Sequence, residues 1–132
     1  MKPHVVTAAA ALALASFAAP SAAQDAAAGE KVFKRCVACH AVGEGAANKV
    51  GPELNGLIGR KVAGLDGYAY SAALKTYGEG KTWDEATLDQ FLADPRGSAP
   101  GNKMAFAGLK KDDERKNVAA YLAQFDAGGA KK

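Results

Sequence analysis

Two cysteines and a histidine lie together in the segment Cys36-Val37-Ala38-Cys39-His40. On one helical turn, both thiols can reach the two vinyl groups at one edge of a porphyrin, and the next residue brings an imidazole to the iron. A C-x-x-C-H segment is a strong signal for a covalently attached c-type haem. The segment therefore predicts one haem c, bound through Cys36 and Cys39, with His40 as an iron ligand.

Other sites that use cysteines fit this segment less well. A structural zinc ion needs four ligands, which come as two separate pairs in most proteins, whereas these three side chains lie on one turn. A thioredoxin-type dithiol follows a strand in a βαβ unit, and no strand pattern precedes Cys36. A structural disulfide would leave His40 without a role.

The N-terminal segment has the features of a secretory signal peptide. Lys2 supplies a positive charge, residues 5–19 are apolar, Pro20 interrupts them, and small residues follow up to Ala23. We predict cleavage after Ala23, so that residues 1–23 are removed and Gln24 begins the mature protein. The alternative is an uncleaved anchor, although residues 5–23 are barely long enough to span a bilayer. Either way, the domain lies outside the cytoplasm, and we predict the periplasm.

Residues 24–132 are sufficient for one small domain, which buries only a modest core. A large apolar cofactor would add much of the missing contact. The net charge of +3 is too small to indicate nucleic acid as a partner.

Hydrophobic periodicity predicts helices separated by loops, with no strand. The first helix is capped by Asp25 and runs through Val37, and the second spans 70–77 and ends at Gly78. The third begins with a capping box at Thr82 to Glu85 and stops before Pro95. The last starts at Asp112 and ends near Gly128. Gly-rich and Pro-rich segments at 41–67 and 98–108 predict loops. Lys131 and Lys132 are expected to be frayed.

The second axial iron ligand follows by elimination. Once the first 23 residues are removed, His40 is the sole histidine and Met104 the sole methionine. Met104 lies in a turn-rich loop, 100–106, well downstream of the cysteines. A thioether is a suitable soft ligand, and His/Met ligation raises the reduction potential of a haem. We therefore predict His40 and Met104 as the two iron ligands.

Several further motifs give the chain a family resemblance. They are Gly29-x-x-x-Phe33, Gly51-Pro52-x-Leu54-x-Gly56, Gly59-Arg60-Lys61, Tyr68-Ala69-Tyr70-Ser71, Thr82-Trp83, Asp94-Pro95, Pro100-Gly101-x-Lys103-Met104-x-Phe106-x-Gly108 and Ala120-Tyr121-Leu122. With the cysteine motif, they resemble the class I cytochromes c, in the mitochondrial-like bacterial group called cytochrome c2. The resemblance implies an all-α, single-domain fold, in which short helices and loops wrap around one covalently bound haem.

The resemblance also implies roles for individual residues. Pro52 would offer its carbonyl oxygen to the second ring nitrogen of His40. Arg60, Tyr70 and Trp83 match positions that hydrogen-bond the haem propionates. Gly29 and Phe33 match the place where the first helix crosses the last.

Three positions depart from a common pattern of this family. Phe91 stands where a tyrosine often donates to the methionine sulfur, Leu74 where an asparagine often holds a water molecule, and Asn102 where a threonine is common. None of them removes a ligand, so they bear on the tuning of the reduction potential.

The predicted function is one-electron transfer without catalysis, by a monomer that is not inserted in the membrane after cleavage. The expected donor is a membrane complex of the cytochrome bc1 type, and the acceptor an oxidase, a reductase or a photosynthetic reaction centre. Six cations match positions around the exposed haem edge, where they would form a basic docking face: Arg35, Lys49, Arg96, Lys103, Lys110 and Lys111. A haem enzyme or gas sensor would instead need an open iron position, and a purely structural haem protein would need no basic face.

Overall fold

The computed structural model describes Pro3 and residues 24–132, so the predicted signal peptide lies almost wholly outside the described residues. In this part of the chain, five helices follow one another: α1 (Ala26–Phe33), α2 (Ala72–Tyr77), α3 (Glu85–Ala93), α4 (Pro95–Ser98) and α5 (Asp112–Ala123). The described residues form two isolated bridges, Lys61 with Thr82 and Phe125 with Lys131, but no strand. The prediction of an all-α fold is therefore confirmed.

Aspartate and serine side chains begin most of these helices. Asp25 accepts hydrogen bonds from the first turn of α1, Ser71 caps α2 and Asp94 caps α4. The capping box predicted at Thr82 is wrong, because Asp84 caps α3 by accepting from the backbone N–H of Thr87 at 2.7 Å. Thr82 is held in an extended bridge with Lys61 and cannot cap a helix.

The first and last helices cross at Gly29, as predicted. A β-carbon on Gly29 would lie only 1.9 Å from the backbone oxygen of Asn117 and 2.9 Å from Cβ of Tyr121. Next to this crossing, the rings of Phe33 and Tyr121 pack with their centroids 5.4 Å apart. The two helix backbones can approach this closely because residue 29 has no side chain.

We expect Gly29→Ala to reduce the free energy of unfolding by about 3 kcal/mol or more, at the upper end of what overpacking costs. The added methyl group meets backbone atoms, which cannot move aside as a side chain can. Chemical denaturation measures the effect. Gly128→Ala is a matched control, because a β-carbon there would meet its nearest atom at an ordinary 3.4 Å. Equal stability of the two variants would contradict the close crossing.

The helices differ from the sequence prediction in several places, and α2 starts at Ala72 instead of residue 70. Helix α1 ends at Phe33 instead of continuing to Val37, α5 ends at Ala123 instead of near Gly128, and the four-residue helix α4 was not predicted. The C-terminal lysines are not frayed: Lys131 pairs with Phe125, and the backbone N–H of Lys132 donates to Gln124.

The long segment 41–67 contains no helix, as predicted. The core is built from buried residues of α1, α3 and α5 together with loop residues such as Leu57, Val62 and Leu109. No helix among the described residues combines the length and the apolar character that crossing a bilayer requires.

Candidate haem site

A cavity of about 320 Å³ opens between the helices and the long loops. Its volume is in the range of cofactor pockets. All eight residues that the sequence predicted to contact the cofactor line this one cavity: Cys36, Cys39, His40, Pro52, Arg60, Tyr70, Trp83 and Met104. Segments that are far apart in the sequence thus meet at one site.

The remaining wall is mainly apolar, and eight of its apolar residues are buried. It includes Phe33, Leu57, Leu88, Phe91, Leu92, Leu109, Val118 and Leu122, which come from three helices and two loops. Such a wall suits a large flat apolar ligand, because burying apolar surface is favourable by about 25 cal/mol per Å².

The cysteine motif forms its own turn after α1. The backbone N–H of Cys36 donates to Phe33, and both Cys39 and His40 donate to the carbonyl of Cys36, at 3.1 and 2.9 Å. The two thiols and the imidazole therefore lie on a single turn, although α1 itself has ended. Cys36 and Cys39 are not joined in a disulfide. Burial raises the pKa of the Cys36 thiol to about 11, which disfavours its thiolate form.

His40 is held in one tautomer. Its Nδ1 lies 2.7 Å from the carbonyl oxygen of Pro52. Because a carbonyl can only accept, Nδ1 carries the proton and Nε2 keeps a lone pair that can bind a metal. Burial lowers the pKa of the His40 imidazole, which keeps the ring neutral at pH 7. Gly51 borders the ring so closely that a β-carbon there would lie 2.4 Å from Cε1.

Arg60 supplies cationic donors at the cavity wall. Its guanidinium donates to the backbone carbonyls of Asn55 and Glu53 and lies 3.8 Å from the Glu53 carboxylate. Its Nε is buried without a partner among the described residues. A buried donor without an acceptor is costly, and a haem propionate would provide the acceptor.

Tyr70 provides a second polar group in the cavity. Its hydroxyl oxygen accepts from the backbone N–H of Leu65 at 3.2 Å, so the hydroxyl proton can still be donated. Together with the thiols, the neutral imidazole, the apolar wall and Arg60, this donor makes a haem with two carboxylates fit the residues present. The described residues contain no group of three or more His, Cys, Asp or Glu side chains that could together hold a metal ion.

Two other residues of the cavity were not among those predicted to contact the cofactor. Tyr68 lines it and donates its hydroxyl to the Val50 carbonyl at 2.6 Å. Asn102 lines it and accepts from the backbone N–H of Met104 at 2.7 Å. The sequence singled out Asn102 only as a departure from the family pattern, because its contacts depend on how the loop folds.

The fold and the cavity define a small helical haem protein of the c type. The chain belongs to the cytochrome c family, whose model matches residues 26–126.

Two similar proteins are both named cytochrome c2. That of Blastochloris viridis is 50% identical over 119 residues, which cover 90% of this chain and 92% of that protein. That of Rhodoplanes tepidamans is 54% identical over 109 residues, which cover 83% of this chain and all of the other. Among solved structures, cytochrome cH from Methylobacterium extorquens is similar, with a TM-score of 0.68, 49% identity, and coverage of 75% of this chain and 97% of that one.

These similarities confirm the prediction of a class I c-type cytochrome of the c2 group. The cofactor is covalently bound haem c, and the activity is electron transfer instead of catalysis.

Proposed function

We propose that the mature protein, residues 24–132, is a soluble periplasmic one-electron carrier with His40 and Met104 as iron ligands. It would take electrons from a membrane complex of the bc1 type and deliver them to an oxidase, a reductase or a reaction centre. The observation that carries this proposal is the convergence of all eight predicted residues on one cavity. The haem supplies a one-electron ferrous/ferric couple, and the chain supplies its attachment, ligands and surroundings.

In this proposal, His40 and Met104 would both hold the iron, which would leave no position on it for a substrate. The hydrogen bond from Nδ1 of His40 to Pro52 holds the proton away from the ligating nitrogen and raises ligand basicity. The apolar wall excludes water from around the ligands. Arg60, Tyr70 and Trp83 would hold the propionates, and a buried carboxylate needs such donors.

Absorption spectra of the oxidised and reduced protein, after expression with its own N-terminus in a periplasm, test the proposal. We expect the low-spin spectra of a six-coordinate c-type haem, an intact mass equal to residues 24–132 plus one haem, and a reversible one-electron wave in voltammetry. A five-coordinate spectrum in either oxidation state would instead favour a haem enzyme or a gas sensor.

The proposed docking face has cations of two kinds. Arg35 forms a bidentate pair with Glu114, at 2.8 and 3.0 Å, and Lys49 and Lys110 donate to backbone carbonyls. The other three cations form no ion pair among the described residues: Arg96, Lys103 and Lys111. The free charges of these three are therefore the ones that an acidic partner can engage without displacing a carboxylate.

We expect charge reversal at Arg96, Lys103 or Lys111 to slow electron transfer to an acidic partner by about threefold or more per variant at low salt, because such charges act mainly on the association rate. The second-order rate is measured by stopped flow at several ionic strengths. The wild-type rate should fall as salt shortens the Debye length from about 10 Å at 0.1 M.

Reversal at Lys61 or Lys75 is the matched control. Both lysines line a separate cavity of about 140 Å³ and are expected to have smaller effects. Equal sensitivity in both groups, or a rate that does not change with salt, would contradict a specific basic docking face.

A further inference from the structure

The side chain of Asn102 connects the loop that carries Met104 to helix α4. Its Nδ2 donates to the backbone carbonyls of Pro95 and Ala99, at 2.8 Å each. Its Oδ1 accepts from the backbone N–H of Met104 at 2.7 Å. A primary amide has two N–H donors and one carbonyl oxygen, so both ends of the amide are engaged.

The helix end that Asn102 contacts is itself well fixed. Asp94 caps α4 by accepting from Gly97 at 2.9 Å, and Pro95 stands in its first turn. Ala99, which follows the helix, is 1% exposed, and its carbonyl also accepts from the backbone N–H of Asn102 at 3.0 Å. Asn102 therefore ties the Met104 peptide to a buried part of the fold.

The hydrogen bond on the other side of Met104 has no such anchor. The backbone N–H of Phe106 donates to the Met104 carbonyl at 2.9 Å. That bond stays within the loop, whereas the bonds of Asn102 reach a helix. The loop also turns at Gly101, whose φ of +88° favours glycine.

We propose that Asn102 is a positioning residue for the electron-transfer site, which keeps Met104 in the cavity and resists its displacement by small ligands. This inference rests on the proposed function, in which Met104 is an iron ligand. Asn102 acts through the Met104 backbone: without the three bonds, the loop samples positions in which the Met104 side chain leaves the cavity.

Imidazole titration of the haem-loaded, oxidised protein tests this role, because imidazole competes with the axial methionine and its binding is visible in the absorption spectrum. Asn102→Asp keeps an acceptor for Met104 but sets a carboxylate oxygen against the carbonyls of Pro95 and Ala99. Asn102→Leu removes all three bonds at similar size. We expect imidazole to bind about tenfold more tightly to either variant, the change that losing about one net hydrogen bond of positioning produces.

Asn55→Leu is the matched control. Asn55 is 6% exposed, and its amide also makes two backbone bonds, both to Gly43, at 2.8 and 2.9 Å. We expect this variant to lose stability in chemical denaturation while its imidazole affinity remains that of the wild type. If Asn55→Leu raises imidazole affinity as much as the Asn102 variants do, Asn102 acts only through global stability and the inference is wrong.

Met104→Ala, measured in parallel, separates this inference from the proposed function. If Met104→Ala binds imidazole more tightly and the Asn102 variants do not, the positioning role is overturned and Met104 remains the ligand. If Met104→Ala also has wild-type affinity, methionine ligation is overturned, and the positioning role with it.

Discussion

We expect Met104→Ala to lower the midpoint reduction potential by on the order of 0.2 V, a fraction of the range of about 0.8 V that axial ligands cover in haem proteins. The reason is chemical: a thioether is a soft ligand that favours the ferrous state, and His/Met ligation raises the potential. Residues 24–132 contain one methionine, Met104, and one histidine, His40. With both cysteines used for attachment, Met104 is the soft ligand that remains. Voltammetry of the purified variant measures the shift.

The same variant should bind cyanide or azide faster and have a high-spin ferric spectrum at neutral pH. Leu109→Ala is the matched control, because Leu109 lines the same cavity and is 1% exposed. The control removes a side chain of similar size, which costs about 2–5 kcal/mol of stability, but leaves both ligands. A low-spin spectrum and an unchanged potential in Met104→Ala would exclude Met104 as the ligand and direct attention to Lys103.

Replacing both Cys36 and Cys39 with alanine abolishes covalent haem attachment, and each single replacement leaves at most one thioether. The two thiols lie on one turn, which is defined by the hydrogen bonds of Cys39 and His40 to Cys36. The sequence contains no third cysteine that could take the place of either. A denaturing gel stained for haem, with the intact mass, measures attachment.

Val37→Ala is the control for attachment, since Val37 lies between the two cysteines but is 45% exposed. It should keep one haem on two thioethers. His40→Ala tests the third member of the motif and should lose the proximal ligand. A wild-type polypeptide without covalent haem after periplasmic expression would overturn the assignment of the site.

The positions of the four longer helices could be predicted from the sequence, but their ends could not. The ends depend on contacts with distant residues: the bridge to Lys61 removes Thr82 from the α3 cap, and pairing with Lys131 draws Phe125 out of α5. Helix α4 is too short to show periodicity. From the sequence, Pro95 predicts the end of the preceding helix, although proline is also favoured in the first turn of a helix.

The residues that line the haem site could be predicted from the sequence more fully than the residues that hold them in place. Attachment chemistry fixes the spacing of the cysteines and the histidine within a few residues, so a local pattern suffices. The partners of the predicted residues lie elsewhere in the sequence. Glu114 pairs with Arg35 across 79 residues, and Asn102 in the Met104 loop reaches back seven residues to the carbonyl of Pro95. Such pairings become visible only when the chain is folded.

The crossing of α1 with α5 imposes an order on how the protein can be made. Helix α1 emerges first during synthesis, yet the surface on which Gly29 packs belongs to Asn117 and Tyr121, near the other end of the chain. The native helix pair therefore forms only when nearly all of the polypeptide is available, and a contact of such high sequence separation forms slowly. Until then, Cys36 cannot pack against the core that it contacts in the folded chain. We expect covalent attachment of the haem to proceed most readily in this interval, while both cysteines are still accessible.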